Sequence, residues 1–245
     1  MERVVIKNLK GQNLAGIFYP SKIHTDKIIV VCHGLKGTKE GKGKTLDMAL
    51  RFSESFNVLL FDFRGCGESE GNFEDITLTG QIEDLNCVVD WAFEKGYRKI
   101  GCIGRSFGGT TVICAASGNK KILSVASWAA PSDLEKVFDK TKYPKEGNFY
   151  TTESEGKKLK IKEKFFEDLK NYNLYELVKL ISPRPVLFVQ GDKDNVVPVD
   201  NCYKLYNEAN EPKKMYIVKG DDHIFSKKYK EVWEITYKWF EETLK

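Results

Sequence analysis

One short segment, Gly-Arg-Ser-Phe-Gly-Gly at positions 104–109, limits most strongly what this chain can fold into. It follows the apolar run 99–103 and precedes a helix-like run from Thr110 to Ser117. A Gly-x-Ser-x-Gly segment between a strand and a helix forms a sharp turn that lifts the serine hydroxyl above a sheet edge. Small residues flank the serine because strand and helix approach closely there. The spacing therefore predicts a reactive hydroxyl at Ser106.

The rest of the chain alternates in a way that fits this turn. Helical segments such as 79–95 and 227–243 separate the later strands, and such crossovers join parallel strands. We therefore predict an α/β fold with a mostly parallel central sheet of about eight strands and helices on both faces. Apolar, β-branched runs place these strands at 2–8, 13–19, 27–32, 57–62, 98–103, 122–127, 185–190 and 214–218.

A stretch of about fifty residues interrupts this alternation, and a connection of that length usually has a function or its own structure. We predict a single domain over residues 1–245, with residues 131–182 inserted as a small lid above the sheet. Within it, the pattern predicts helices at 133–142 and 169–181, and a hairpin turning at Glu155-Gly156.

A nucleophilic serine needs a general base within hydrogen-bond reach and a third group that orients the base. The chain contains three histidines. His223 follows the strand 214–218 and precedes the last helix, which predicts it as the base. His24 lies in a polar loop, and we expect His33, at the end of the strand 27–32, to hold its loop in shape.

The orienting acid is expected after the strand 185–190, where two aspartates compete. Asp194 lies before Val-Val-Pro at the apex of the loop, whereas Asp192 is placed to satisfy backbone groups of the turn. We favour Asp194. The nucleophile, acid and base then follow one another in the chain as serine, aspartate and histidine.

A tetrahedral intermediate needs two backbone N–H groups that are already aimed at its oxyanion. One is predicted at Phe107, directly after the serine, and the other at Leu35, in the loop after the strand 27–32. Gly34 permits an unusual turn in that loop. The nearby segment Asp62-Phe63-Arg64-Gly65 is interpreted as a structured turn, with Asp62 and Arg64 bonded to the loop.

Composition argues against several other classes of protein. The net charge of +4 is small beside 39 basic and 35 acidic residues, which argues against a nucleic-acid partner. We expect no membrane partner, metal or cofactor, and the absence of an apolar leader at the N-terminus leads us to expect a cytoplasmic protein. A homodimer is kept as a candidate assembly. Residues 37–45 miss the phosphate-binding P-loop pattern by one position, because Thr38 stands where glycine is required.

With these blocks in place, the chain resembles the α/β-hydrolase superfamily of serine hydrolases along essentially its whole length. Within it, the sequence is similar to small bacterial cinnamoyl and feruloyl esterases and to serine-aminopeptidase-like hydrolases. The sequence departs from the usual pattern at Arg105, where many relatives carry histidine. The matching blocks are His33-Gly34-Leu35, the turn 62–69, Gly104 to Gly109, the loop 191–197 and Asp222-His223.

The resemblance implies a carboxylesterase for small or aromatic-acid esters, working through an acyl-enzyme on Ser106. The same three residues would also serve a peptidase or amidase, a monoacylglycerol lipase or a thioesterase, and a non-catalytic binding protein of this fold is a further alternative. Aromatic residues of the inserted segment either line a substrate pocket or pack the segment itself. The candidates for substrate contact are Tyr143, Phe149, Tyr150, Phe165 and Phe166.

Overall fold

A computed structural model describes residues 1–154 and 156–245. Its central sheet has eight strands in the order β1-β2-β4-β3-β5-β6-β10-β11. The pairs β1–β2 and β2–β4 are antiparallel, and all the later pairs are parallel. The strands are β1 (Glu2–Lys7), β2 (Asn13–Tyr19), β3 (Lys27–Cys32), β4 (Asn57–Phe61), β5 (Lys99–Arg105), β6 (Ile122–Trp128), β10 (Val186–Gly191) and β11 (Lys213–Val218).

Helices cover both faces of this sheet, because its inner strands are apolar on both sides. One face packs against α2 (Leu78–Glu94), α3 (Phe107–Gly118) and α7 (Asp200–Glu208). The other packs against α1 (Lys44–Phe52) and α8 (Tyr229–Thr243). None of the helices in the described ranges combines the length and the apolar character that a membrane span requires.

Residues between β6 and β10 form smaller elements of their own. Three antiparallel strands, β7 (Lys145–Glu146), β8 (Phe149–Ser154) and β9 (Lys157–Lys162), make a second sheet. Short helices accompany it: α4 (Leu134–Val137), α5 (Glu163–Leu169) and α6 (Leu174–Lys179). Single 3-10 turns occur here at Lys140–Lys142, and elsewhere at Gly41–Gly43 and Phe73–Asp75.

The predicted fold is confirmed, and every strand predicted for the central sheet is present. The predictions for the inserted segment were less accurate. The predicted helix 133–142 is α4 followed by a 3-10 turn, the predicted helix 169–181 shrinks to α6, and α5 was not predicted. The predicted hairpin corresponds to β8 and β9, while its turn residue Glu155 lies outside the described residues. That 131–182 acts as a lid stays a prediction.

Candidate active site

Ser106 occupies the turn between β5 and α3. Its φ of 56° and ψ of −126° lie in a region that side-chain-bearing residues rarely adopt. Its N–H donates to the Trp128 carbonyl at 2.7 Å, and its own carbonyl accepts from the N–H groups of Gly109 and Thr110. The strained turn is therefore fixed by backbone hydrogen bonds on both sides, and Ser106 lies just before the first residue of α3.

The glycines of the segment 104–109 are required by the packing around the serine. A Cβ atom at Gly108 would lie 2.5 Å from the carbonyl oxygens of Cys32 and His33. A Cβ at Gly104 would overlap the backbone of Gly108. The start of α3 therefore lies directly against the end of β3, as the pattern of small residues predicted.

The structure brings His223 and Asp194 together. The Nδ1 atom of His223 lies 2.7 Å from Oδ2 of Asp194, so the ring N–H donates to the carboxylate. The Asp194 side chain is fully buried and that of His223 is 15% exposed. This bond fixes the tautomer in which Nε2 is free to accept a proton.

The two competing aspartates have different partners. Asp194 Oδ1 accepts from the backbone N–H groups of Val196 and Val197, each at 2.8 Å. Asp192 instead accepts from the Gly220 N–H at 2.6 Å and so closes the turn against the loop after β11. The geometry agrees with the choice of Asp194 as the residue that orients His223.

Ser106 and the His223–Asp194 pair lie at the same edge of the sheet, because the parallel strands β5, β10 and β11 all end there. Within residues 1–154 and 156–245, the Ser106 hydroxyl and the His223 ring are not hydrogen-bonded to each other. In enzymes without bound substrate, such bonds are often long and tighten only when substrate binds. The arrangement thus places His223 and Asp194 in contact, with Ser106 at the same edge.

The loop after β3 passes close to Ser106. A Cβ on Gly34 would lie 3.4 Å from the Ser106 Cβ and 3.9 Å from its Oγ. In the described part of the chain, the backbone N–H groups of Leu35 and Phe107 donate to no protein acceptor. Both N–H groups are therefore free to donate to a ligand oxygen, which is one of the requirements for an oxyanion hole.

His33 fixes the shape of this loop. Its Nδ1–H donates to the Gly34 carbonyl at 2.8 Å, and its Nε2 accepts from the Phe63 N–H at 3.2 Å. Burial lowers the pKa of His33, a shift that the hydrogen bond with Gly34 opposes only in part. A buried, neutral imidazole with both nitrogens occupied holds the loop in place, as expected from the sequence.

The turn after β4 is hydrogen-bonded through Asp62 to the loop that follows β3. The Asp62 carboxylate accepts from both the backbone N–H and the Nζ of Lys39, each at 2.7 Å. Burial lowers the pKa of Lys39, but its hydrogen bonds with Asp62, Glu40 and Glu68 outweigh this and raise it. Arg64 differs from the expectation, because it bonds to Asp84 on α2 and not to the loop.

The five aromatic residues proposed for substrate contact fall into two groups. Phe165 is fully buried, and its ring packs against Phe107 with centroids 5.5 Å apart. Tyr150 and Phe166 are also buried and pack against each other. These three residues stabilise the inserted segment and present little free surface. Tyr143 and Phe149 are half-buried and keep surface available for a ligand.

Two charged residues near the site received no role from the sequence. Arg105 is half-buried at the end of β5; burial lowers its pKa, which the carboxylates of Asp194 and Asp222 partly offset. Lys36, next to Leu35, donates from Nζ to the Glu153 carbonyl at 2.8 Å and to the Thr152 hydroxyl at 3.4 Å. The loop that carries Leu35 is thus joined to β8, a contact between distant segments that no local pattern signals.

Comparison with known proteins agrees with this geometry. The family model of the prolyl oligopeptidase family matches residues 44–245, which include the proposed nucleophile, acid and base. The chain belongs to the prolyl oligopeptidase family. The family and the fold together confirm the prediction of a serine hydrolase with the α/β-hydrolase fold.

Individual relatives are distant. The uncharacterized protein YfhR from Escherichia coli O157:H7 is 24% identical over 234 residues, which span 91% of this chain and 74% of YfhR. The polyketide transferase GrgF from Penicillium is 23% identical over 265 residues, spanning 90% of this chain and 88% of GrgF. Est1E from Butyrivibrio proteoclasticus, solved with ferulic acid bound, has a TM-score of 0.85 and 22% identity over 98% of this chain and 99% of its own. Structural likeness at this identity shows the fold.

Proposed function

We propose that this chain is a carboxylic-ester hydrolase in which Ser106, His223 and Asp194 form the catalytic triad. One observation carries the proposal: the 2.7 Å hydrogen bond between His223 and the buried Asp194, at the sheet edge where Ser106 occupies its strained turn. An imidazole held in this tautomer by a buried carboxylate is arranged to act as a general base.

The reaction follows from these positions. Ser106 Oγ attacks the ester carbonyl carbon while His223 Nε2 takes the hydroxyl proton, and Asp194 stabilises the resulting imidazolium. The N–H groups of Leu35 and Phe107 bind the oxyanion of the tetrahedral intermediate. When the C–O bond of the ester breaks, His223 gives its proton to the departing alcohol. Water, activated by His223, then hydrolyses the acyl-enzyme and frees Ser106.

The acyl group of the substrate is proposed to be small or aromatic. Tyr143 and Phe149 are half-buried in the inserted segment, which reaches the oxyanion loop through the contacts of Lys36. The Phe107 ring, next to the proposed nucleophile, also packs against Phe138 and Phe165. Esterases with this fold, including Est1E with its ferulic acid, support the proposal.

The first experiment compares initial hydrolysis rates on p-nitrophenyl butyrate and methyl ferulate for wild type and Ser106→Ala, together with labelling by a fluorophosphonate probe. Hydrolysis of both esters and labelling, all lost in Ser106→Ala, is expected. Butyrate hydrolysis alone would keep the mechanism and remove the aromatic-acid class. Labelling without ester hydrolysis would point to another acyl substrate. Absence of labelling in the folded wild type would contradict Ser106 as nucleophile.

The acid is tested by a matched pair of variants in the same loop. Asp194→Asn removes the charge that holds His223, and kcat is expected to fall about 10⁴-fold. Asp192→Asn is the control, because Asp192 contacts Gly220 and not His223. We expect its kcat to stay within about threefold of wild type, since the change alters only one hydrogen bond of the turn. Equal losses in the two variants would contradict the assignment of Asp194.

A peptidase or amidase is the second candidate, and the match of residues 44–245 to the prolyl oligopeptidase family favours it. Ester and amide substrates with the same acyl group separate the two functions. Comparing an acyl p-nitrophenyl ester with the corresponding p-nitroanilide measures how well the site expels an amine. A kcat/KM for the anilide within about tenfold of that for the ester would favour the peptidase. We expect kcat/KM for the ester to exceed that for the anilide by more than this.

A further inference from the structure

Gln190, the second-last residue of β10, is a polar side chain in an apolar position. It is fully buried, and its alternate neighbours on the same face, Val186 and Phe188, belong to the hydrophobic core. Burial of an amide in such a place is unfavourable unless its polar atoms find partners. The contacts of this side chain therefore indicate why a polar residue occupies the position.

The Gln190 amide is directed at the proposed catalytic acid. Its Nε2 donates to Oδ2 of Asp194 at 2.7 Å and to the Val197 carbonyl at 3.1 Å. Oδ2 is the same oxygen that accepts the hydrogen bond from His223, also at 2.7 Å. Gln190 and His223 thus share one carboxylate oxygen, while backbone N–H groups hold the other.

The carbonyl oxygen of the Gln190 amide lowers the stability of the folded state. The Oε1 atom of Gln190 is buried and has no hydrogen-bond partner among the described residues. Rotating the amide would remove the donor from Asp194 and bring Oε1 against a carboxylate, so the observed orientation is fixed. An apolar side chain of similar size would leave neither Oε1 unpaired nor an amide buried.

We propose that Gln190 is a positioning residue of the catalytic site, which holds Asp194 and withdraws part of the charge that Oδ2 presents to His223. This inference rests on the proposed function, because it assigns Gln190 a role through Asp194 and His223. Its signature is an effect on the pH dependence of catalysis that is independent of folding stability.

The direction of that effect follows from the shared oxygen. Without the Gln190 donor, Oδ2 carries more negative charge toward His223 and stabilises the protonated ring. Because the base must be neutral to accept the Ser106 proton, the acidic limb of the pH profile moves to higher pH. Arg105 at the end of β5 and Asp222 beside His223 are the charged groups that face the pair. Both stay unchanged in the variants.

The experiment measures kcat/KM against pH, from 5 to 9, for wild type and Gln190→Met, with thermal unfolding of both. We expect kcat/KM at neutral pH to fall about 10- to 100-fold, the size typical of a lost hydrogen bond to a charged group. The acidic limb should move up by about half a pH unit or more. The unfolding temperature should change little, because the variant loses two hydrogen bonds but also removes the unpaired Oε1.

A second variant, Gln190→Glu, tests the donor itself. A protonated carboxyl group can still donate to Asp194, whereas an ionised one repels it. We expect Gln190→Glu to recover activity relative to Gln190→Met at acidic pH and to lose it as pH rises. Equal profiles for the two variants would contradict the proposal, as would a fall in activity that follows only a loss of folded protein.

Asn201→Leu supplies the matched control. Asn201 is buried on α7 and bonds to Ser132 and Pro198, so this change also loosens the end of the acid loop without touching Asp194. It should leave the acidic limb at its wild-type pH. A shift of the acidic limb of the same size in Asn201→Leu would overturn the proposal.

The Ser106→Ala variant separates failure of this inference from failure of the proposed function. If Ser106→Ala keeps full activity, the proposed function fails. If Ser106→Ala loses activity while Gln190→Met matches wild type, only the inference about Gln190 fails.

Discussion

The carboxyl edge of the central sheet and the inserted segment 131–182 are held together by different interactions. At the edge, backbones touch: Gly108 has no room for a Cβ, and Asp194 and His33 are fixed by buried hydrogen bonds. In the inserted segment, rings pack on rings, and the charged contacts are exposed, such as Lys158–Glu146 with side chains 54% and 47% exposed. Backbone contacts with no room for a Cβ tolerate almost no displacement, whereas exposed ion pairs tolerate rearrangement.

On the proposed function, this difference corresponds to two tasks, catalysis at the edge and substrate binding by the inserted segment. Catalytic groups must stay within a fraction of an ångström of their working geometry, which rigid backbone contacts provide. A substrate-binding surface can adjust, and exposed ion pairs contribute only about 0–1 kcal/mol to its stability. The prediction is that changes at the edge destroy stability or catalysis, while changes in the inserted segment alter substrate affinity.

The largest effect is expected at Gly108. In Gly108→Ala the new methyl group would meet two carbonyl oxygens at 2.5 Å, so the free energy of unfolding should fall by about 3 kcal/mol or more. Gly118→Ala, at the other end of α3, is the control because its Cβ meets open space. It should stabilise slightly, by about 0.5–1 kcal/mol. Urea unfolding measures both, and a stable, active Gly108→Ala would contradict the rigid edge.

Two adjacent rings of α5 test where the inserted segment reaches the catalytic edge. Phe165 packs against Phe107, whereas Phe166 packs against Tyr143 and Tyr150. We expect Phe165→Leu to lower kcat about tenfold, because it loosens Phe107, whose N–H is proposed to bind the oxyanion. Phe166→Leu should mainly raise KM on p-nitrophenyl butyrate. Identical changes of kcat and KM in the two variants would remove the distinction.

The burial of His33 predicts that the stability of the fold depends on pH. Its pKa is lowered by burial, so the unfolded chain binds a proton that the folded chain rejects. The contribution of His33 to stability is therefore fully present above the ordinary histidine pKa of about 6.5, and it is lost as pH falls from there through the lowered pKa.

The measurement is the free energy of unfolding by urea at pH 7, 6 and 5. In His33→Gln its slope with pH should be shallower than in wild type, by up to about 1.4 kcal/mol per pH unit. The same replacement at the exposed His24 is the control and should keep the wild-type slope. A wild-type slope in His33→Gln would show that other groups set the acid sensitivity.

The smallest effect is expected at Lys36, which joins the two regions. Lys36→Met removes the bonds to Thr152 and Glu153, and should cost less than about 1 kcal/mol of stability because the contact is exposed. It should nevertheless raise KM about threefold, since one loop carries both Lys36 and Leu35, the proposed oxyanion donor. Lys158→Met, which breaks an ion pair inside the small sheet, should leave KM unchanged. Equal KM values for Lys36→Met and wild type would show that the contact between Lys36 and β8 does not affect substrate binding.

The same division explains what the sequence could predict. The strands of the central sheet were found because long apolar runs such as 27–32 and 57–61 can be satisfied only by burial. The helix α5 was missed because its seven residues have no side-chain cap, and contacts with distant rings stabilise it. Its neighbour β9 was predicted as part of the hairpin, because Leu159 and Ile161 alternate with its four lysines.

The candidate site divides in the same manner. Ser106, Asp194 and His223 follow strands, and their order along the chain is itself informative. The contacts of Gln190 and Lys36 depend on how separate segments approach each other, which local patterns do not encode. The tripeptide around Lys36 gives no hint that its partner lies more than a hundred residues away.

The backbone conformation at Ser106 affects which substitutions such a protein would accumulate if selection for hydrolysis stopped. A residue with a side chain at φ 56° and ψ −126° is held there against its preference, at about 1–3 kcal/mol, whereas glycine adopts this region freely. Ser106→Gly should therefore be more stable than Ser106→Ala, although both lack the hydroxyl. Once selection for hydrolysis stops, one of the stabilising substitutions open to the chain is therefore the one that deletes the proposed nucleophile. Descendants that survive as binding proteins are expected to carry glycine at this position, with the rest of the edge intact.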